Sequence, residues 1–145
     1  MLNNNKKLGK IICFGIVVCL VFSMLCSCET KIKRTDAKAI FEDFFRAIKA
    51  EDYEKAEGYL HPDHQGALES SFSAIELSEK IDFQESIVIE RYTSFSSSYY
   101  DSEYDGAKFT LVANARVSEV PVVIELTVVD NDDGRGVYHF LVSKR

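Results

Sequence analysis

The side chains best suited to chemistry cluster at His61, Asp63 and His64. Imidazole and carboxylate groups are common metal ligands, and two histidines three residues apart can share one helix face. His61 and Pro62, however, straddle a predicted helix boundary, and no second cluster in the sequence supplies further ligands. The pattern favours a structural turn. We therefore expect no metal and no cofactor, with His61 and His64 as weak metal candidates.

A second group of interest, residues 93–105, mixes tyrosine with serine. Binding surfaces use this mixture because tyrosine provides a large amphipathic contact area at low cost in conformational entropy. A plain hairpin with a polar outer face also explains it and is the simpler interpretation. The candidate contact residues on the first interpretation are Tyr99, Tyr100 and Tyr104.

Hydrophobic periodicity predicts three helices that precede these residues or position them. Apolar residues at helical spacing indicate a helix over 36–49, a short one over 53–60 and a third over 62 to about 80. Asp52 can cap the second helix, and Pro62 suits the first turn of the third.

From Glu85 the apolar period changes to two, which is typical of strands. Short turn signals separate the strands, so they are expected to be sequential and antiparallel. The predicted strands are residues 87–99, 107–118, 122–129 and 137–142. Because helices and strands are segregated along the chain, the sequence predicts an α+β fold with three N-terminal helices on a curved four-stranded antiparallel sheet.

The first segment of the chain has the pattern of an export signal. Lysines precede a nearly unbroken apolar run, residues 11–26, that is slightly short for a membrane-spanning helix. Basic residues before such a run stay on the cytoplasmic side, so the residues that follow are expected outside.

The run ends in Leu25-Cys26-Ser27-Cys28, which resembles a bacterial lipobox. The resemblance implies cleavage between Ser27 and Cys28 and lipidation of Cys28. Two acyl chains give stable membrane anchoring where one is marginal. We expect an extracytoplasmic protein anchored to a bacterial membrane, the alternative being a plain signal peptide or an uncleaved anchor.

These signals divide the chain into a signal peptide at 1–27, a lipidated cysteine and short tether at 28–35, and one domain at 36–145. About 110 residues can form one modest core but not two. The domain carries 11 basic against 22 acidic side chains, so phosphate would be repelled and nucleic acid is excluded as a partner. All four cysteines lie within the first 28 residues, which leaves the domain without thiol chemistry.

The segment over 51–63, Glu-Asp-Tyr-Glu-Lys-Ala-Glu-Gly-Tyr-Leu-His-Pro-Asp, resembles the second helix and following turn of nuclear transport factor 2-like domains. In this cystatin-like cone, helices pack on a curved sheet. Ketosteroid isomerase and many small bacterial lipoproteins of unknown function share it. The resemblance implies such a cone for this chain, with a pocket inside it.

Catalysis of the isomerase type needs a carboxylate and an oxyanion donor that face each other inside the cone. The predicted inward rows of the strands carry no acid or base, and His139 alternates with aromatic neighbours as a surface or satisfied histidine does. We therefore expect a non-enzymatic binding module for an unknown protein or small-molecule ligand. A small isomerase or dehydratase that uses the cone interior is the alternative.

The convex sheet face is expected to pair two copies of the chain. A sheet with helices on one face should be polar on the other, yet Val123 and Val129 flank Glu125 and Thr127 there. An apolar patch of a few hundred Å² usually marks an interface, and a two-fold dimer is the common form.

Overall fold

Helices come first and strands last in the part of the chain that the structure describes. A computed structural model describes residues 32–145, and the predicted signal peptide with Ser27 and Cys28 lies outside them. No helix among residues 32–145 is long and apolar enough to cross a membrane. The elements are helices α1 (Arg34–Lys49), α2 (Tyr53–Glu57) and α3 (Leu68–Glu79), and strands β1 (Ile87–Asp101), β2 (Gly106–Val117), β3 (Val120–Asn131) and β4 (Gly134–Lys144).

The four strands form one open antiparallel sheet in the order β1-β2-β3-β4. The predicted α+β class and four-stranded antiparallel sheet are therefore confirmed. β2 and β3 pair without interruption from Ala107–Asp130 to Val117–Val120. Ser118 and Glu119 join them with φ angles of 47° and 62°, the two positive values that a type I′ hairpin turn requires.

The helices differ from the prediction at the turn that contains the histidines. α2 ends at Glu57, and Leu60 instead forms a parallel bridge with Val137 of β4. The Val137 backbone donates to the Tyr59 carbonyl at 2.8 Å, and its carbonyl accepts from the His61 N–H at 2.9 Å. These bonds satisfy backbone groups that a longer helix would otherwise pair.

Pro62 does not begin the third helix, which starts six residues later at Leu68. A turn closed by the His64 N–H and the His61 carbonyl, 2.9 Å apart, contains Pro62. Because His61 is fixed against β4, the chain needs this turn and a short loop before α3 can lie over the sheet. The predicted boundaries at 60 and 62 were therefore wrong.

The core lies between α1, α3 and one face of the sheet. α1 buries its apolar stripe, in which Phe41 and Phe44 are fully inaccessible. From the sheet, the alternate residues of β2 and β3 meet this stripe, as period-two side chains on one strand face do. Those strand residues are Phe109, Leu111, Ala113, Ala115, Val117, Val122, Ile124, Leu126 and Val128.

Candidate functional site

Phenylalanine rings fill the space between the helices and the sheet. The Phe72 ring stacks on Phe140 with centroids 4.9 Å apart and meets the edge of Phe83 at 5.0 Å. Phe44 lies within 6.0 Å of both Phe72 and Phe140. Among the described residues the buried polar side chains are His61, Asn114 and Thr127, so no carboxylate is buried there. The fully buried part of this interior therefore holds no carboxylate that could act as the acid of isomerase chemistry.

His61 joins the turn that contains Pro62 to the sheet through hydrogen bonds of both ring nitrogens. It is 1% exposed, and its Nδ1 accepts a hydrogen bond from the Asp63 N–H at 3.1 Å. The ring proton therefore lies on Nε2, which donates to Asn131 Oδ1 at 2.9 Å. Because Nε2 carries the proton and the Nδ1 lone pair already accepts a hydrogen bond, neither ring nitrogen of His61 is available to a metal ion.

Asn131 extends this connection to both hairpins. Its Oδ1 also accepts from the N–H groups of Asp133 and Gly134, which form the β3–β4 turn. Its Nδ2 donates to the Tyr104 carbonyl in the β1–β2 turn at 2.9 Å. One amide side chain thus joins two neighbouring turns to His61.

The ring nitrogens of His64 are bonded differently from those of His61. Its Nδ1 donates to the Tyr138 carbonyl at 2.8 Å, and its ring stacks almost parallel to Phe140, 5.9 Å between centroids. The remaining nitrogen, Nε2, is buried without a hydrogen-bond partner. Buried polar atoms of this kind are rare in native proteins. Residues 32–145 contain no group of three His, Cys, Asp or Glu side chains placed to hold a metal ion.

The β1–β2 hairpin is ordered by an ion pair and by an edge-on contact between aromatic rings. Lys108 Nζ lies 3.1 Å from Asp101 Oδ2 and 4.9 Å from the Tyr104 ring centroid. The Tyr104 ring in turn meets Tyr138 edge-on at 4.8 Å. A hydrogen bond from the Glu103 N–H, together with Lys108, lowers the pKa of Asp101 below its ordinary range. The carboxylate of Asp101 therefore stays charged and holds the hairpin in place.

Tyr104, Tyr138 and His64 line a surface groove of about 320 Å³, which we call the histidine–tyrosine groove. It offers imidazole and phenol groups for hydrogen bonding and aromatic faces for stacking. Burial, followed by the Glu103 carboxylate, raises the pKa of Tyr104, so this phenol stays protonated at neutral pH. The groove is lined by Asp63, His64, Gln65, Tyr104, Tyr138 and His139.

The predicted contact tyrosines fall in two places. Tyr104 is half-buried in the histidine–tyrosine groove, whereas Tyr99 and Tyr100 are 49% and 58% exposed at the end of β1. The Tyr100 hydroxyl donates to Asp105 at 2.7 Å, and this bond raises the pKa of Tyr100. The hydroxyl is therefore oriented before any partner binds.

Val129 is not an interface residue, contrary to the expectation for the convex face. It is fully buried, while Val123 is half-buried. Val129 lies opposite Lys108 in the β2–β3 register, and Lys108 extends over Tyr104, so side chains of the hairpin cover this end of the face. Exposed apolar residues on the sheet are Val88 and Leu141 instead.

Sequence reasoning missed Asn131 and Lys108 as members of the site. Residues 131–134, Asn-Asp-Asp-Gly, are one of the turn signals that separate the predicted strands, and a turn signal does not predict side-chain partners. A lysine on a strand likewise does not predict an ion pair with a residue seven positions away. The signal for Asn131 was its type, because asparagine at the start of a turn commonly bonds backbone N–H groups ahead of it.

Comparisons of the chain found no matching protein family, no similar curated protein and no similar solved structure.

Proposed function

We propose that this chain is an exported lipoprotein, anchored to a bacterial membrane through Cys28, whose domain binds a protein or small ligand without catalysing a reaction. The lipobox-like Leu25-Cys26-Ser27-Cys28 supports the anchor. The helix-then-sheet order supports a nuclear transport factor 2-like cone, because that fold also packs N-terminal helices on one sheet face.

One observation carries the binding function over the enzymatic one. Phenylalanines occupy the interior where an isomerase keeps its acid and oxyanion donor, whereas the hydrogen-bonding and aromatic groups collect outside, in the histidine–tyrosine groove. The walls of this groove are preordered by His61, Asn131 and Lys108, and preordering reduces the entropy lost on binding. The partner therefore binds at the surface, against Tyr104 and Tyr138.

Photocross-linking in cells tests the proposed binding surface. Gln65 lines the groove. Gln84 is also exposed, and it lies near Asp82, which bonds Ser118 at the opposite end of the sheet. A photoreactive phenylalanine at Gln65 should give an adduct of defined mass, and one at Gln84 should not. Intact-mass analysis distinguishes a protein adduct from a small-molecule adduct. No adduct at Gln65, or equal adducts at both positions, contradicts the groove as the binding surface.

Metabolic lipid labelling tests the anchor independently of the groove. Cys28→Ser should abolish incorporation of labelled fatty acid and leave a longer precursor, because the thiol is the acylated group. Cys26→Ser is the matched control and should be labelled as the wild type is. Loss of label in the Cys26 variant with retention in the Cys28 variant would overturn the assignment of Cys28.

A further inference from the structure

Between Arg91 and Ser98 the outer edge of β1 bonds to no backbone group of residues 32–145, although β1 is the longest strand of the sheet. β1 has 15 residues and pairs only with β2. An unpaired edge is a template for another strand, and proteins often interrupt it with proline or lysine. Between Tyr92 and Tyr100 this edge carries neither, and it carries no charged residue.

The backbone groups that face outward from β1 follow from the turn between β2 and β3. A two-residue type I′ turn is closed by a hydrogen-bonded pair, here Val117 and Val120. Since hydrogen-bonded pairs alternate along an antiparallel ladder, odd-numbered residues of β2 bond to β3 and even-numbered ones to β1. Ser96 faces Thr110 and therefore bonds inward, whereas Phe95 and Ser97 direct their N–H and C=O groups outward.

The regular part of β1 is centred on Ser96. Pairing with β2 runs without a shift from Ser94 to Ser98, and one extra residue of β1 interrupts it on each side. An antiparallel second copy with its two-fold axis at Ser96 would set these two interruptions opposite each other. Each strand then has its extra residue opposite the extra residue of the other copy, so the same pairing between the two copies continues beyond both interruptions.

The positions of the charged residues on β1 favour the same two-fold axis at Ser96. Arg91 lies five positions before Ser96 and Asp101 five positions after it. In a two-fold pair centred on Ser96, Arg91 of one copy stands opposite Asp101 of the other, and this occurs twice. Asp101 already accepts from Lys108 and Glu103, but a carboxylate has room for a further donor.

Side-chain sizes also fit this register. Phe95 would lie opposite the small Ser97 of the other copy, with both residues using their outward backbone groups. The half-exposed Tyr100 would stand opposite Tyr92 and gain an aromatic neighbour, a favourable cross-strand pair.

We infer that two copies of this chain associate edge to edge through β1, antiparallel and centred on Ser96, to form a continuous eight-stranded sheet. Four backbone hydrogen bonds join Phe95 and Ser97 across the axis, and two Arg91–Asp101 ion pairs flank them. This inference rests on the sheet and not on the groove or the lipid anchor, so it can fail or hold independently of both.

Disulfide trapping of the full chain in membranes tests the register. Cα atoms of a non-hydrogen-bonded pair are about 4.5 Å apart, within the range a disulfide spans, so Ser96→Cys should form a covalent dimer. Ser94→Cys and Ser98→Cys are matched controls, each about 13 Å from its copy in this register. They should give about tenfold less dimer, and the wild-type chain reports any dimer from the native cysteines.

Charge reversal tests the flanking pairs in the same Ser96→Cys background. Arg91→Asp places two carboxylates opposite each other and should lower the dimer yield several-fold, and adding Asp101→Arg should restore it. Circular dichroism of each variant verifies that the sheet is retained. Absence of dimer from Ser96→Cys, equal yields at all three positions, or a disulfide to a different protein would overturn the inference.

Discussion

The two edges of the sheet end in different ways. At β4 the chain covers its own edge around Val137, since residues 59–61 bond to Val137 and His61 joins that segment to the β3–β4 turn. At β1 no backbone group of another described segment bonds to the outer edge between Arg91 and Ser98, although side chains of α1 and of the C-terminus contact the strand. The contacts at β4 thus contribute to the stability of the fold, whereas the outward backbone groups of Phe95 and Ser97 on β1 are the ones that we propose for association.

The cover on β4 depends on a close approach of two backbones. A Cβ on Gly136 would lie 2.4 Å from both the Leu60 carbonyl carbon and the His61 nitrogen. Side chains at this position would therefore separate residues 59–61 from β4. Glycine is required here for space and not for an unusual backbone angle.

Gly136→Val should be the most damaging substitution in this comparison. We expect a loss of more than about 3 kcal/mol, or failure to fold, because the clash is with backbone atoms that cannot rotate away. Ser94→Val, on the open edge, is the matched control and should change stability by less than about 0.5 kcal/mol. Thermal melting of the detergent-purified chains measures both, and equal melting temperatures would show that the β4 cover contributes little.

Proline substitutions at two neighbouring positions of β1 distinguish the backbone groups that bond β2 from those that face away from it. Ser96→Pro removes an N–H that bonds β2 and should cost about 3 kcal/mol. Ser97→Pro removes an N–H directed away from β2, so its cost should be below about 1 kcal/mol. Self-association should nevertheless be lost in the Ser97 variant. Light scattering in detergent gives the assembled mass, and a full-sized dimer of Ser97→Pro would exclude the β1 edge.

The two histidines should also differ in their effects on stability. His61→Ala removes a buried ring with two hydrogen bonds and should cost about 2–3 kcal/mol. His64→Ala removes a partly buried ring with one bond and should cost about 1 kcal/mol. Urea unfolding of each variant measures these losses. A larger loss of stability from His64→Ala would mean that His64, and not His61, contributes more to holding residues 59–61 against β4.

The strands and the first helix could be predicted from sequence because their apolar periods are regular over many residues. Phe41, Phe44 and Ile48 recur at helical spacing, and Ile124 and Leu126 alternate as strand residues do. Their burial in one core follows directly from these periods. These apolar periods, with their order along the chain, were sufficient to predict the α+β class.

The β4 cover and the site could not be predicted in the same way, because they depend on contacts distant in sequence. His61 meets Asn131 across 70 positions, and neither residue has a periodic pattern around it. The sequence showed that Pro62 marks a boundary, but not that the preceding residues pair with a strand edge. Val129 was misassigned because alternation gives the face of a residue and not what covers that face.

The ion pair at the hairpin should give the smallest effect, and its pH dependence has a definite sign. The Glu103 N–H and Lys108 lower the pKa of Asp101 from its ordinary 3.8. A lowered pKa in the folded state means that the charged carboxylate stabilises the fold above pH 3.8. That stabilisation is lost as pH falls through the lowered value.

Asp101→Asn removes the charge while it keeps an oxygen for the Glu103 N–H. Its melting temperature should lie slightly below that of the wild type at neutral pH, since ion pairs that stay partly open to solvent contribute little. The difference should shrink to zero at a pH well below the ordinary pKa, where the wild-type carboxyl is also neutral. Melting curves across this range measure it. A difference that persists in strong acid would mean that Asp101 acts through its shape, and the Arg91–Asp101 pairing of two β1 edges would then lose its electrostatic basis.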